Sequence, residues 1–174
     1  AALRAPERVS ALILVCGAPG RPLDTFKNTS LGLKVLPLLK QFTEANPAVM
    51  RAFWQAVVPS RVALTIAEVF EINSALIDAD DIRPYLERLA KMDPRVFIAM
   101  LDAASRHTAE PRLGDIAMPT LVVAAENDTF TPMYRSETMA REIPDAELFV
   151  LPDASHTGPL EWPEMLNLRM RKFP

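Results

Sequence analysis

Cysteine occurs once in this 174-residue chain, at Cys16, glycine only five times and histidine twice. A single thiol cannot close an internal disulfide, and no C-x-x-C or His-rich spacing proposes a metal site, so a disulfide-stapled scaffold and a zinc module are both excluded. No apolar run reaches the roughly 20 residues that a membrane-spanning helix needs, and no signal peptide opens the chain. An excess of one charge is missing too: 19 basic residues stand against 22 acidic ones, interspersed, for a net charge of −3. That balance gives no electrostatic footprint for nucleic acid or for an anionic membrane, so neither partner is expected. The lone cysteine fits a reducing compartment, which makes a cytoplasmic location the expectation. A targeting signal upstream of Ala1 would change it.

What is present is ordinary globular material, 49% hydrophobic and 24% charged, long enough for one domain with a real core. Three short apolar runs stand out. Arg8 to Cys16 ends at Gly17-Ala18-Pro19-Gly20 and has the nearly continuous apolar character of a strand buried on both faces of a parallel sheet. Thr120 to Ala125 follows Pro119, which is tolerated at a strand entrance, and Ala146 to Leu151 is the third. Between the last two, Thr131 to Arg141 reads as a helix, giving strand, helix, strand.

The stretch of about 100 residues between the first and second runs is far longer than a simple crossover and must carry structure of its own. Asn46-Pro47 and Asp93-Pro94 each place a capping residue before a proline at the first helical position, opening helices over 48–58 and 95–106. Residues 30–45, 60–73 and 80–91 give three further helices. Pro37 is expected to end or kink the first, and Pro84 to shorten the last unless it lies in the first turn. The apolar residues Met50, Phe53, Trp54, Val57, Leu64, Ile66, Val69 and Phe70 fall at mostly helical spacing; core packing accounts for most, and the remainder are expected to line a pocket. At the far end, Leu160 to Phe173 reads as one closing amphipathic helix. The fold class is therefore α/β: a parallel sheet with a helical insertion over 24–107, the sheet portion being 1–23 and 108–174.

In a parallel strand–helix–strand unit both strand tips lie on the same edge of the sheet, where open α/β folds place their sites. Asp128 follows the second run and His156 the third, so the two are expected to meet. A carboxylate that accepts the Nδ1 proton of an imidazole fixes its tautomer and leaves Nε2 as the base, which is two thirds of a nucleophilic triad. Asp145 precedes its strand and belongs to the opposite edge, and Asp153 reads as a turn former. Asp24, after the first run, remains an alternative acid. His107 suits a helix C-terminus as a structural residue, and Cys16 reads as a small packed hydrophobe.

The local wording of both loops resembles the α/β-hydrolase fold family: Asp128-Thr129-Phe130-Thr131-Pro132 is similar to its acid turn, and Ser155-His156-Thr157-Gly158-Pro159-Leu160-Glu161-Trp162-Pro163-Glu164 to its histidine loop. The order, acid before histidine, also agrees, and Pro6 to Gly17 resembles the family's strand after the nucleophile helix. The G-x-S-x-G elbow, or an Asp-nucleophile equivalent, is absent from the 174 residues. The resemblance thus implies the carboxyl-terminal portion of a longer hydrolase: three strands of the core, a helical cap, and Asp128 and His156 without their nucleophile. It implies a serine-type esterase-like activity on a small or medium apolar substrate, with no cofactor or metal. An Asp nucleophile would instead imply a haloalkane dehalogenase or epoxide hydrolase, and a different class altogether would be a non-catalytic ligand-binding module of the same fold.

Overall fold

The computed structural model describes residues 1–24, 31–70 and 72–174. Three parallel strands, β1 (Leu12–Val15), β2 (Thr120–Ala125) and β3 (Ala146–Leu151), form one sheet in the order β1-β2-β3. Leu12 pairs with Thr120 and Val15 with Val123, while Thr120 pairs with Ala146 and Ala125 with Leu151. Every residue of β2 is buried, as its unbroken apolar run requires of a central parallel strand. Its side chains divide by the two-residue period. Leu121, Val123 and Ala125 pack with Leu151 and Leu166 on one face, and Val122 packs with Met139 and Ile143 on the other.

The first strand is shorter and less buried than its sequence suggests. Pro6–Arg8 form a 3-10 turn instead of strand, and all four residues of β1 are only half-buried, because among the described residues β1 pairs on one side alone. Helix α6 (Met133–Glu142) connects β2 to β3. The closing helix is two helices, α7 (Gly158–Glu161) and α8 (Pro163–Arg171). Trp162, with φ −127° and ψ 54°, is pushed out of the helical region by the proline that follows it.

Between β1 and β2 lie, among the described residues, five α-helices: α1 (Leu31–Ala45), α2 (Pro47–Val57), α3 (Arg61–Phe70), α4 (Ala79–Lys91) and α5 (Pro94–Arg106). They fall on the segments read from the sequence, residues 30 and 71 lying outside the described ones, except that Ile72 and Asn73, expected within the helix over 60–73, are not helical. Pro37 stands inside α1 and does not end it, and Pro84 stands inside α4 without shortening it, contrary to expectation. Pro84 is beyond the first turn of α4, and the carbonyl its missing N–H would have served belongs to Asp80, which is exposed and open to water. Asp93 caps α5 by accepting the Arg95 N–H at 2.9 Å. Asn46 does not cap α2: its Nδ2 donates back to the Phe42 carbonyl at 3.3 Å.

Polar ties lock these helices to one another. Lys40 of α1 pairs with Asp102 of α5 at 2.8 Å, Arg51 of α2 with Asp93 at 2.9 Å, and the Trp54 indole N–H of α2 donates to Leu89 O of α4 at 2.9 Å. Hydrogen bonds from Arg95 hold the Asp93 carboxyl well below its ordinary range, and those from Lys40 and Arg106 lower that of Asp102. The insertion leaves and rejoins the sheet at one point. Gly20 bridges antiparallel to Thr108, flanked by Arg21 N–H to His107 O at 2.9 Å and Ala109 N–H to Pro19 O at 2.6 Å. A Cβ on Gly20 would stand 2.7 Å from Thr108 Cα, so only glycine permits that crossing.

Candidate active site

The tips of β2 and β3 are stitched together by their own backbone. Glu126 N–H donates to Leu151 O at 3.1 Å and Asn127 N–H to Ala154 O at 2.8 Å, which sets the two following loops side by side. Asp128 turns inward at the end of the first loop and is 5% exposed. Four donors converge on it. Oδ1 accepts the backbone N–H groups of Phe130 at 2.8 Å and Thr131 at 2.7 Å, an arrangement that the short Asp side chain makes in a tight turn. Oδ2 lies 2.7 Å from Thr131 Oγ1 and 2.9 Å from His156 Nδ1.

The structure therefore brings Asp128 and His156 together as the chain order suggests. Because a carboxylate only accepts, Nδ1 carries the proton in this contact and Nε2 is the basic nitrogen. The Phe130 ring packs against the imidazole with centroids 4.8 Å apart, tilted by 41°. Asp128 gives the imidazole a polar neighbour and Phe130 an apolar one, and the His156 side chain remains 34% exposed.

His156 lies on the wall of a cavity of about 790 Å³. The opposite wall belongs to the insertion: Val35, Leu36 and Leu39 from α1, Ile82, Tyr85 and Leu86 from α4, and Phe97 and Leu101 from α5. Among the described residues no Lys, Arg, Asp or Glu lines it. Here the structure corrects the sequence reading. Neither Phe53 nor Trp54 reaches the cavity; Phe53 is largely exposed, and Trp54 packs on Phe97 with ring centroids 5.0 Å apart. The side chains of Val69 and Phe70 lie outside the described residues.

The other candidates fall elsewhere. Asp145 stands where β3 begins, its carbonyl accepting the Thr120 N–H at 2.8 Å. Asp153 takes a left-handed φ of 54° and donates its N–H to Glu126 Oε2 at 2.9 Å, a turn former as expected. Asp24 sits in a 3-10 turn, 4.0 Å from Arg21, and His107 is the C-cap residue of α5. Cys16, at the tip of β1 with φ 44°, belongs to the core under the site. Burial, then the charges of Asp128 and Glu161, push its thiol up to about 12. Such a thiol is a poor nucleophile at neutral pH. Among the described residues no group of three or more His, Cys, Asp and Glu side chains is placed to hold a metal ion, and no helix is long and apolar enough to cross a membrane.

One residue of the site carried no signal in the sequence. Glu161 is 5% exposed and accepts hydrogen bonds from residues 73, 155 and 157. Residue 73 is too distant in the chain for any local pattern to reveal the contact.

Residues 1–163 match the family model described as the alpha/beta hydrolase fold. The chain is 26% identical over 170 residues to the 2-hydroxy-6-oxononadienedioate/2-hydroxy-6-oxononatrienedioate hydrolase of Klebsiella pneumoniae, covering 97% of this chain and 54% of that enzyme. It is 26% identical over 176 residues to the pimeloyl-[acyl-carrier protein] methyl ester esterase of Nitrosospira multiformis, covering 99% of this chain and 62% of that one. Among solved structures, a thermophilic esterase from Thermogutta terrifontis superposes with a TM-score of 0.64 at 23% identity, over 98% of this chain and 57% of the esterase. The chain thus spans little more than half the length of these relatives.

Proposed function

The chain belongs to the alpha/beta hydrolase fold family, and from that premise we infer that it supplies the acid and base of a serine-type, esterase-like hydrolase acting on small or medium apolar substrates. The observation that carries this reading is the 2.9 Å contact between His156 Nδ1 and the buried Asp128 carboxylate, at the wall of an apolar cavity. His156 Nε2 takes the proton of a hydroxyl nucleophile as its oxygen attacks the substrate carbonyl. The imidazolium then returns that proton to the leaving alcohol as the acyl–oxygen bond breaks, and water repeats the cycle on the acyl-enzyme. Asp128 holds the ring in the tautomer both steps need and stabilises its positive charge.

The nucleophile and the oxyanion donors stand outside these 174 residues in this reading, since no G-x-S-x-G occurs within them. The helices of the insertion act as a cap, because eight of their described side chains line the cavity together with His156. Hydrolysis of a short-chain aryl ester by the full-length protein tests the assignment. His156→Ala is expected to lower kcat by about 10⁴-fold or more. Robust turnover that survives this substitution would remove His156 from the chemistry and refute the reading.

A further inference from the structure

The carboxylate of Glu161 faces two ways. Toward the histidine loop, Oε2 accepts the Ser155 backbone N–H at 2.7 Å, and Oε1 accepts the Thr157 hydroxyl at 2.8 Å and the Ser155 hydroxyl. Toward the insertion, Oε1 accepts the backbone N–H of Asn73 at 2.8 Å. Asn73 lies between α3 and α4, and its side-chain Nδ2 reaches the same loop by donating to Asp153 O at 2.8 Å. The residues on either side of His156 are therefore fastened to one carboxylate, and that carboxylate is fastened to the insertion.

We propose that Glu161 is a positioning residue that clamps the loop of His156 to the helical insertion at Asn73, so that the imidazole is correctly placed only while the insertion is seated. The inference rests on the reading of His156 as the base. The chemistry of the pocket supports it. All the groups meeting Glu161 are donors, two of them backbone N–H groups that cannot turn into acceptors, and only an acceptor on both oxygens satisfies them. Glutamine keeps one oxygen. Its NH₂ must then face either the Ser155 N–H or the Asn73 N–H, so one backbone tie of the clamp is lost whichever way the amide turns. The cavity runs along both ends. Ile72, next to Asn73, lines it from the insertion, and Thr157 and Leu160, next to His156 and Glu161, line it from the loop. A substrate in the cavity touches residues adjoining each end of the clamp, which links occupancy to the placement of the base.

The test uses the full-length protein with Glu161→Gln and, should that variant fold poorly, Asn73→Ala, which keeps the backbone N–H to Glu161 and removes the exposed side-chain contacts to Asp153 O and from the Ala75 N–H. Ester hydrolysis is measured together with the His156 ring resonances in a nitrogen-15 correlated NMR spectrum and the amide exchange of Ser155 and Asn73. Glu161→Gln is expected to lower kcat by about 30-fold with KM changed less than about threefold, since a displaced base harms the chemical step more than binding. The hydrogen-bonded Nδ1–H signal of His156 should weaken, and exchange should quicken at both amides. In Asn73→Ala the exchange at Ser155 should also quicken, although that residue is untouched. An unchanged His156 signal with kcat within twofold of the parent in Glu161→Gln, or exchange that quickens at Asn73 alone in Asn73→Ala, would overturn the clamp. If His156→Ala leaves turnover intact, the functional reading fails instead, and the resonance and exchange measurements still decide whether loop and insertion move together.

Discussion

Replacing Asp128 by Asn separates chemistry from folding, because the surroundings of this carboxylate dictate how the amide must sit. Two backbone N–H groups, from Phe130 and Thr131, point at Oδ1, and neither can become an acceptor, so the Asn oxygen takes that place. The NH₂ then replaces Oδ2 and faces Thr131 Oγ1 and His156 Nδ1. The threonine hydroxyl adapts: it accepts from the amide while its proton goes to Cys16 O, already 3.0 Å away. The imidazole adapts only by accepting at Nδ1, which moves its proton to Nε2 and removes the base. Each buried donor keeps a partner, so the stability loss should stay near 1 kcal/mol, the scale of one altered hydrogen bond. The rate should fall by about 10⁴-fold, or about 5.4 kcal/mol in the barrier, as triads held in the wrong tautomer do. Thermal melting and aryl-ester kinetics of the full-length Asp128→Asn protein, run side by side, give both numbers. A variant that melts like the parent and keeps more than a tenth of its kcat would refute the tautomer argument.

Two further outcomes follow from the cavity and the core. A substrate bearing a second, free carboxylate would bring it among side chains with no Lys or Arg among the described residues; kcat/KM for a dicarboxylic half-ester should therefore fall at least about 100-fold below that of the matching neutral ester, read by parallel progress curves, and equal rates would refute an uncharged pocket. Cys16 should resist thiol reagents at pH 8 until the protein is unfolded. Its folded pKa, pushed up to about 12 from an ordinary 9.0, lies above that of the unfolded chain, so the stability it contributes is present below about pH 9 and lost as pH rises toward 12. Rapid labelling of the native protein, or a Cys16→Ser variant with an unchanged alkaline unfolding profile, would contradict this.

The sheet and the candidate pair were legible because the information is local. A continuous apolar run such as Thr120 to Ala125 describes a central strand by itself, and Asp128 and His156 each follow directly on such a run. The reading failed where the outcome depends on neighbours distant in the chain. Amphipathic spacing says that a helix has an inward face but not whether that face meets core or cavity, so Phe53 and Trp54 stood among the candidates while Val35 and Leu36, which line the cavity, did not. Asn46 offered a cap that its backbone did not use, and Pro84 was tolerated because the carbonyl it strands is open to water. Glu161 stood within a stretch already noted for its histidine, yet the contact that singles it out comes from Asn73.

The crossing at Gly20 and Thr108 makes the protein modular. Because the chain departs from and returns to the sheet through two touching residues, strands β1 and β2 experience the intervening segment as little more than a turn. Loop length enters such a closure only logarithmically. The helices that shape the cavity can therefore be lengthened, shortened or exchanged for another set without disturbing the strand register, provided the tie of Asn73 to the loop of His156 is kept. The socket at Gly20 is thus where a designer would graft a foreign set of helices onto this sheet, carrying the contacts of Asn73 along with them.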